Sequence, residues 1–474
     1  MVAGAARIPG AADAGARLAA GCGGADVATT AAGLTLRTLG HACLALYQGR
    51  ENPLLVTDPW LVGSVYWRSW WLENYPSAEE IDWLGKTAFV YVTHEHPDHF
   101  HMPSIRRLGS GPTYLFPSLA EQGYLVHMAR HGFRAATVLP LRWRAIAEGV
   151  SILSIPVWND DSLLLIDTPG ALILDINDAK PLGPVVRAIR RMADRIGKPR
   201  ILLCSYSPAS LVNSFLDDTG IVSLKPARHY VDYVGRLCDR LAVDFYMPFA
   251  SQAVFNRSDS CWANGFRTTY RHLQRHWRAR AQLLPPYATL DLTEFTHCAT
   301  APGQYRTAAQ SRVAIVTQSR ANEEDTATIS AQDIAALERK LNAFHWLLWL
   351  MFPCGFAFQL GEVRLDYDTW RGRFVDADAP RRRQGDFIAA VPKLTIKEAI
   401  GNNHVSDLGI TMFVRIRLLR RVDPRKVYVL FVLLQIDDYG HLRSSAAFLR
   451  WLWRGIKLTF ALRLPVVPSP AAKR

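Results

Sequence analysis

Thr93-His94-Glu95-His96-Pro97-Asp98-His99 places three imidazoles and two carboxylates within seven consecutive residues. Imidazole nitrogen and carboxylate oxygen are the donors that zinc, iron and manganese accept together. A loop that releases several of them at a strand end can close on one or two divalent ions without recruiting distant segments. His94, His96, Asp98 and His99 are therefore candidate ligands. The alternative is a surface turn with solvated histidines, since Pro97 and Asp98 also suit a turn.

The cluster follows the apolar run Ala88-Phe89-Val90-Tyr91-Val92, which reads as a buried strand. Residues 34–39 and 42–47 alternate at period two around Gly40-His41, and residues 53–57 form a third strand that delivers Asp58 to a loop. Residues 151–155, 162–166 and 171–175 are further strands, and helix formers fill 103–108, 182–196 and 228–241. This order fits two sheets packed face to face with helices outside, an α/β fold of the αββα sandwich type.

At 474 residues the chain exceeds what one core usually supports, so two domains, or one with an appendage, are expected. Residues 1–33, rich in Ala and Gly without a continuous apolar segment, read as a disordered N-terminal extension and not as a secretory signal. Residues 34–299 read as the metal-binding domain and the polar stretch 300–329 as a linker or insertion. Residues 330–474 read as a smaller C-terminal α+β domain, with strand-like runs at 412–417 and 427–434.

Hydrophobic content of 49% and charge of 20% are ordinary for a folded soluble protein. The net charge of +13, with arginines at 271, 275, 278, 280 and 381–383, reads first as a solvated basic face and second as attraction for an anionic substrate. No nucleic-acid module is recognisable, so nucleic acid is not expected as a partner. Seven scattered cysteines, with no C-x-x-C pair, fit neither a disulfide framework nor a zinc ribbon and point to a reducing, cytoplasmic setting. Residues 343–358 are shorter than the ~20 residues a membrane span needs, and Pro353 and Gly355 interrupt them. They read as a buried helix followed by a strand, with a peripheral membrane contact by the tryptophans as the minor alternative.

The spacing H-x-H-x-D-H resembles the signature of the metallo-β-lactamase superfamily, and the resemblance implies that His94 and His96 serve one metal, Asp98 and His99 another. More widely, residues 57–63, Trp70-Trp71-Leu72, Pro103, Trp158, Pro248-Phe249-Ala250, residues 288–292, Asp407-Leu408 and residues 421–428 resemble the CMP-N-acetylneuraminate hydroxylase family. That resemblance implies that Asp178, at a strand end, bridges the metals, and that Asp160 or Asp161 supplies a carboxylate where the superfamily usually has a histidine. Such a shell suits iron or manganese. The last histidine of the pattern falls near Phe255-Asn256-Arg257-Ser258-Asp259. Arginine cannot ligate. Asp259 then takes over, or the second metal is weak, or Arg257 binds an anionic group of the substrate.

Asp58 is expected to orient His94 or His96 through the free imidazole N–H, His41 to line the pocket mouth, and His101 to lie behind the ligands or in solvent. Asp98 and Asp178 are the expected catalytic carboxylates. The cofactor is one or two divalent ions, iron or zinc.

None of the cysteines has a histidine two or three residues after it, so no Rieske cluster is expected in this sequence. The resemblance implies hydroxylation of a small anionic or sugar-like metabolite with electrons from a separate ferredoxin or reductase. Two alternatives stay open: hydrolysis of an ester, lactone or phosphodiester by metal-bound hydroxide, and a binding protein that keeps its metal without catalysis.

Overall fold

The computed structural model of the chain describes residues 33–118, 123–157, 160–208, 214–222, 225–299, 306–375, 385–419 and 422–462. The expected N-terminal extension, Trp158-Asn159, the arginines at 381–383 and Arg421 lie outside these residues.

Two sheets form the centre. In one, eight strands run in the order His297–Ala299, Ala288–Asp291, Leu34–Leu39, Cys43–Gln48, Leu55–Thr57, Phe89–Tyr91, Thr113–Pro117, Arg134–Val138. In the other, seven run Gln282–Leu283, Phe245–Pro248, Arg200–Cys204, Leu172–Asn177, Ser162–Asp167, Val150–Pro156, Arg144–Ala147. Leu164 and Ile166 of Ser162–Asp167 pack with Leu44, Leu46 and Tyr91 of the facing sheet. Their neighbours Leu163 and Leu165 pack with Val185, Ile189, Val234 and Leu237 of helices Gly183–Ile196 and Ala227–Leu241. A strand covered on both faces must be apolar at every position, hence the continuous runs in the sequence. On the opposite face, Val56, Val90 and Tyr114 pack under Ile81, Leu84, Ile105 and Met128 of three short helices. The architecture is the αββα sandwich. Truncating one of these fully buried leucines to alanine costs about 2–5 kcal/mol.

A third sheet, of seven strands, has its own core of Phe352, Phe356, Phe387, Leu341, Ile396 and Leu430. Its edge pair, Phe215–Asp217 and Gly220–Val222, comes from the middle of the chain, and Phe215–Asp217 runs parallel to Arg415–Leu418. Residues 310–326 form a 17-residue helix.

Two sequence expectations need correction. Residues 427–434, expected as a strand, lie in helix Pro424–Asp438. The Asp423 carboxylate caps its first turn, Pro424 presets φ at the first position, and Val427, Leu430 and Leu434 recur on one buried face. The helix expected to be buried near 343–352 is His345–Met351, and it is largely at the surface. Phe344, Leu348 and Phe352, four apart, turn inward, whereas Trp346, Trp349 and Leu350 are exposed. The expected strand follows as Phe356–Leu360. Among the described residues no helix is long and apolar enough to cross a membrane.

Candidate metal centre

Strand Phe89–Tyr91 ends three residues before His94, and strand Leu172–Asn177 ends one residue before Asp178. The two ends meet at one edge of the sandwich. Asp58, Asn177, Ala250 and Met412 all take left-handed backbone there, with φ of 38°, 56°, 47° and 66°. Non-glycine residues so placed cost about 1–3 kcal/mol each and concentrate at functional sites.

His94, His99 and Asp178 present ligand atoms within 4.8 Å of one another, and so do His41, Asp98 and His99. His94 Nε2 is 3.9 Å from Asp178 Oδ1, and His99 Nε2 is 3.7 Å from Asp178 Oδ2. Asp98 Oδ2 stands 3.4 Å from both His41 Nε2 and His99 Nε2. His94 Nδ1 lies 3.3 Å from Asp161 Oδ1. Asp178 thus lies between His94 and His99. Asp161, not Asp160, is the carboxylate beside the histidines, because Asp160 pairs with His441 and Arg454 of the C-terminal part. His96 enters neither group: its Nδ1 is 2.8 Å from His94 Nε2, and its Nε2 faces Asp407 Oδ1 at 3.8 Å.

Asp58 does not orient His94 or His96. Its carboxylate accepts from Thr93 N at 2.7 Å, Thr93 Oγ1 at 2.8 Å and Asn177 Nδ2, and stands 3.1 Å from His99 Nδ1. It therefore fixes His99 through Nδ1. His101 is buried, with Nδ1 2.8 Å from Ser104 Oγ at the start of helix Met102–Leu108, and does not join the cluster.

Arg257 is also away from it. Its guanidinium donates to Glu324, Asp259 and the Trp67 carbonyl, and lies 4.2 Å over the Phe413 ring. Every arm of the fork is engaged, so neither Arg257 nor its partner Asp259 serves the metal pocket. The sequence position matches the pattern, but the loop turns toward the helix at 310–326.

The electrostatics follow from proximity. Burial disfavours charge on His94 and His99. Asp161 and Asp178 outweigh it at His94, holding its pKa at about 9, and Asp98, Asp178 and Asp58 hold His99 well above the usual range. Burial and His94 push His96 down to about 3. Against burial, His94 and His99 bring Asp178 to about 2. His99 Nε2, His41 Nδ1 and Asp178 Oδ1 are buried without a hydrogen-bond partner. Buried polar atoms are almost always satisfied. His99 Nε2 and the Asp178 carboxylate face each other within ligand distance, and their unpartnered atoms fit a divalent cation.

Several residues without a role assigned from the sequence belong here. Tyr66 donates to Asp98 Oδ1 at 2.7 Å. Asp407 reaches the site from the C-terminal part, and burial followed by Asp438, Glu95 and Asp98 holds its carboxyl well above the carboxylate range. A cavity of about 460 Å³ joins His41, His96, Asp98 and Asp178 to Lys180, Lys225 and His229, and Tyr428 and Phe431 also line it. Lys180, two residues past Asp178, had a sequence signal in that spacing. Lys225 had none, because only the fold brings it close, and Asp407 was marked only by the resemblance at Asp407-Leu408, which gave it no role.

No family model matches the chain. Among curated proteins it is 30% identical over 152 residues to the cytidine monophosphate-N-acetylneuraminic acid hydroxylase of Asterias rubens, covering 29% of this chain and 22% of that protein. It is 26% identical over 235 residues to the inactive human hydroxylase, covering 46% of this chain and 44% of that protein. The matches therefore span less than half of these relatives' lengths. Solved structures with some likeness include the isothiocyanate hydrolase from Delia radicum gut bacteria, at 14% identity and a TM-score of 0.36, covering 56% of this chain and 99% of that one. The metallo hydrolase Igni18 from Ignicoccus hospitalis, also at 14% identity, has a TM-score of 0.33 with the same coverage of both chains. The chain carries an αββα sandwich and resembles, over part of its length, the cytidine monophosphate-N-acetylneuraminic acid hydroxylases.

Proposed function

We propose that this chain is a metal-dependent enzyme that hydroxylates a small anionic, sugar-like metabolite, with electrons from a separate ferredoxin or reductase. The observation that carries the reading is the cavity in which His41, Asp98, Asp161 and Asp178 share walls with Lys180 and Lys225, with His94 and His99 grouped behind Asp98 and Asp178. The partial similarity to sialic acid hydroxylases and the carboxylate-rich donor set support iron.

When bound, the metal supplies oxygen activation. The chain's own residues do the rest. Lys180 and Lys225 neutralise a phosphate or carboxylate as it enters, and the aromatic wall of Tyr428 and Phe431 excludes water from the reacting end. Tyr66 holds Asp98 by its hydroxyl, and Asp58 holds His99, so that both ligands keep their orientation.

Hydrolysis is the second reading, and Asp178 favours it. Its ionised carboxylate lies on the cavity wall beside His94 and His99, where with them it would hold a metal that supplies hydroxide for attack on an ester.

Elemental analysis and absorption spectra of the purified chain separate the two. Iron with a visible charge-transfer band, and oxygen uptake supported by a ferredoxin and its reductase in the presence of nucleotide sugars, are expected. Zinc alone with cleavage of a chromogenic phosphodiester would overturn hydroxylation in favour of hydrolysis.

A further inference from the structure

We propose that His41 is a metal ligand, replacing the distal-loop histidine whose place Arg257 occupies, and that the centre thereby keeps a second cation position made by His41, Asp98 and His99. The proposal rests on the metal-centre reading above and deepens it.

The distances fit shared coordination better than hydrogen bonding. His41 Nε2 and His99 Nε2 each stand 3.4 Å from Asp98 Oδ2, long for hydrogen bonds. Two donors about 2.1 Å from one tetrahedral ion are about 3.4 Å apart. All three side chains are buried. Asp98 already accepts a short hydrogen bond from Tyr66 on Oδ1, which leaves Oδ2 directed at the two imidazoles.

The chain also builds a mount for His41. It stands in the turn between strands Leu34–Leu39 and Cys43–Gln48. Gly40 precedes it with φ of 56°, and a Cβ there would come 2.8 Å from the Trp60 carbonyl oxygen, so the turn needs glycine to bring the imidazole in. The rings of Trp60 and Trp70 flank His41 at 5.6 and 6.0 Å. The His41 carbonyl accepts from Ala250 N at 2.9 Å, tying the turn to the segment that leads to Arg257. That segment cannot supply a ligand, since its cation is held by Glu324 and Asp259. His41 fills the gap from the opposite side of the pocket.

The test is metal stoichiometry of the full chain after dialysis against excess zinc or, anaerobically, iron(II), read by elemental analysis. Wild type is expected to hold two ions. His41→Phe, which keeps a ring but no nitrogen, is expected to lose one equivalent, and His41→Asp to retain it. A cobalt(II)-loaded sample gives a second readout, as the d–d bands of one site vanish in His41→Phe. Circular dichroism and thermal melting of each variant separate loss of a ligand from loss of the fold. Unchanged stoichiometry and cobalt spectrum in a folded His41→Phe would overturn the proposal and leave the metal-centre reading intact. A wild-type chain that binds no ion would overturn both.

Discussion

Arg257 and Glu324 form a two-pronged ion pair, with Nη1 3.0 Å from Oε1 and Nη2 2.9 Å from Oε2, and both are largely buried. Arg320 donates to the same Glu324 and, through its other arm, to Glu398, to which the Trp67 indole also donates. Thr395 completes the set with a hydrogen bond of 2.8 Å to Glu324. The network joins the loops of the sandwich to helices Gln310–Thr326 and Lys393–Gly401. Removing one member strands a buried charge, which costs about 3–5 kcal/mol. Arg257→Ala and Glu324→Ala should each lower unfolding free energy by that amount in urea titrations. Arg257→His should destabilise in the same way and leave metal content unchanged, since the side chain points away from the metal cavity.

The metal loop itself was legible because four donor residues fall within six positions and need no tertiary contact to be recognised. Asp178 was legible as the end of an apolar strand, and the fold places it between His94 and His99. Arg257 misled for a physical reason: a pattern match fixes the position in the chain but not which way the loop turns. His41 and Asp407 converge from chain segments more than 350 residues apart, a relationship that no local spacing encodes. Helix Pro424–Asp438 was misjudged from its β-branched and apolar residues, although Asp423-Pro424 carried a helix-start signal.

His94 and His96 are both expected to be needed for metal binding, His94 as a member of the metal group and His96 through the contact of its Nδ1 with His94 Nε2 at 2.8 Å. Loss of a residue that merely supports a ligand weakens metal affinity about 10–100-fold, so loss of a ligand should exceed that. By competition with a chromogenic chelator, His94→Ala should bind zinc at least ~100-fold more weakly and His96→Ala about 10–100-fold more weakly. Unaltered affinity in both would remove this loop from the metal site.

Metal affinity should rise with pH. Burial opposes charge on His94, yet Asp161 and Asp178 keep it protonated up to about pH 9, whereas burial and His94 itself leave His96 neutral above about 3. A cation must displace protons from both His94 and His99, whose pKa, against burial, is also held up by Asp98, Asp178 and Asp58, so affinity should increase by about one to two log units per pH unit from near neutrality to about 9. The metal-free chain should show the opposite trend in stability. The raised folded-state pKa of His94 stabilises fully below the unfolded value near 6.5, and that contribution is lost as pH passes about 9. Calorimetry in two buffers of different ionisation enthalpy would register the released protons.

Lys180 and Lys225 are expected to govern substrate capture without affecting the metal. Both line the cavity, and burial followed by the nearby Lys180 lowers the Lys225 pKa, as expected for two ammonium groups on one wall. A bound phosphate or carboxylate would relieve that repulsion. Lys180→Gln and Lys225→Gln should each weaken binding of a nucleotide by about ten-fold, the scale of one charge-assisted hydrogen bond. The salt dependence of binding should become shallower, and metal stoichiometry should stay at the wild-type value. Equal binding by the double variant would place the anion site elsewhere.

Asp58 separates orientation of a ligand from ligation. Its Oδ2 lies 3.1 Å from His99 Nδ1, so the carboxylate accepts the Nδ1 proton and leaves Nε2, which has no other hydrogen-bond partner, free toward Asp98 and Asp178. The same carboxylate satisfies the Thr93 backbone N–H at the base of the metal loop. Asp58→Asn preserves size but removes the charge that fixes this tautomer, and should weaken metal binding about 10–100-fold. Asp58→Ala also leaves the Thr93 amide unpartnered, adding a stability loss of about 1–3 kcal/mol. Chelator competition and urea unfolding on the same two variants read the two effects separately. If Asp58→Asn bound metal as tightly as wild type, His99 would be held by its packing against His94 and His41 and not by its hydrogen bond.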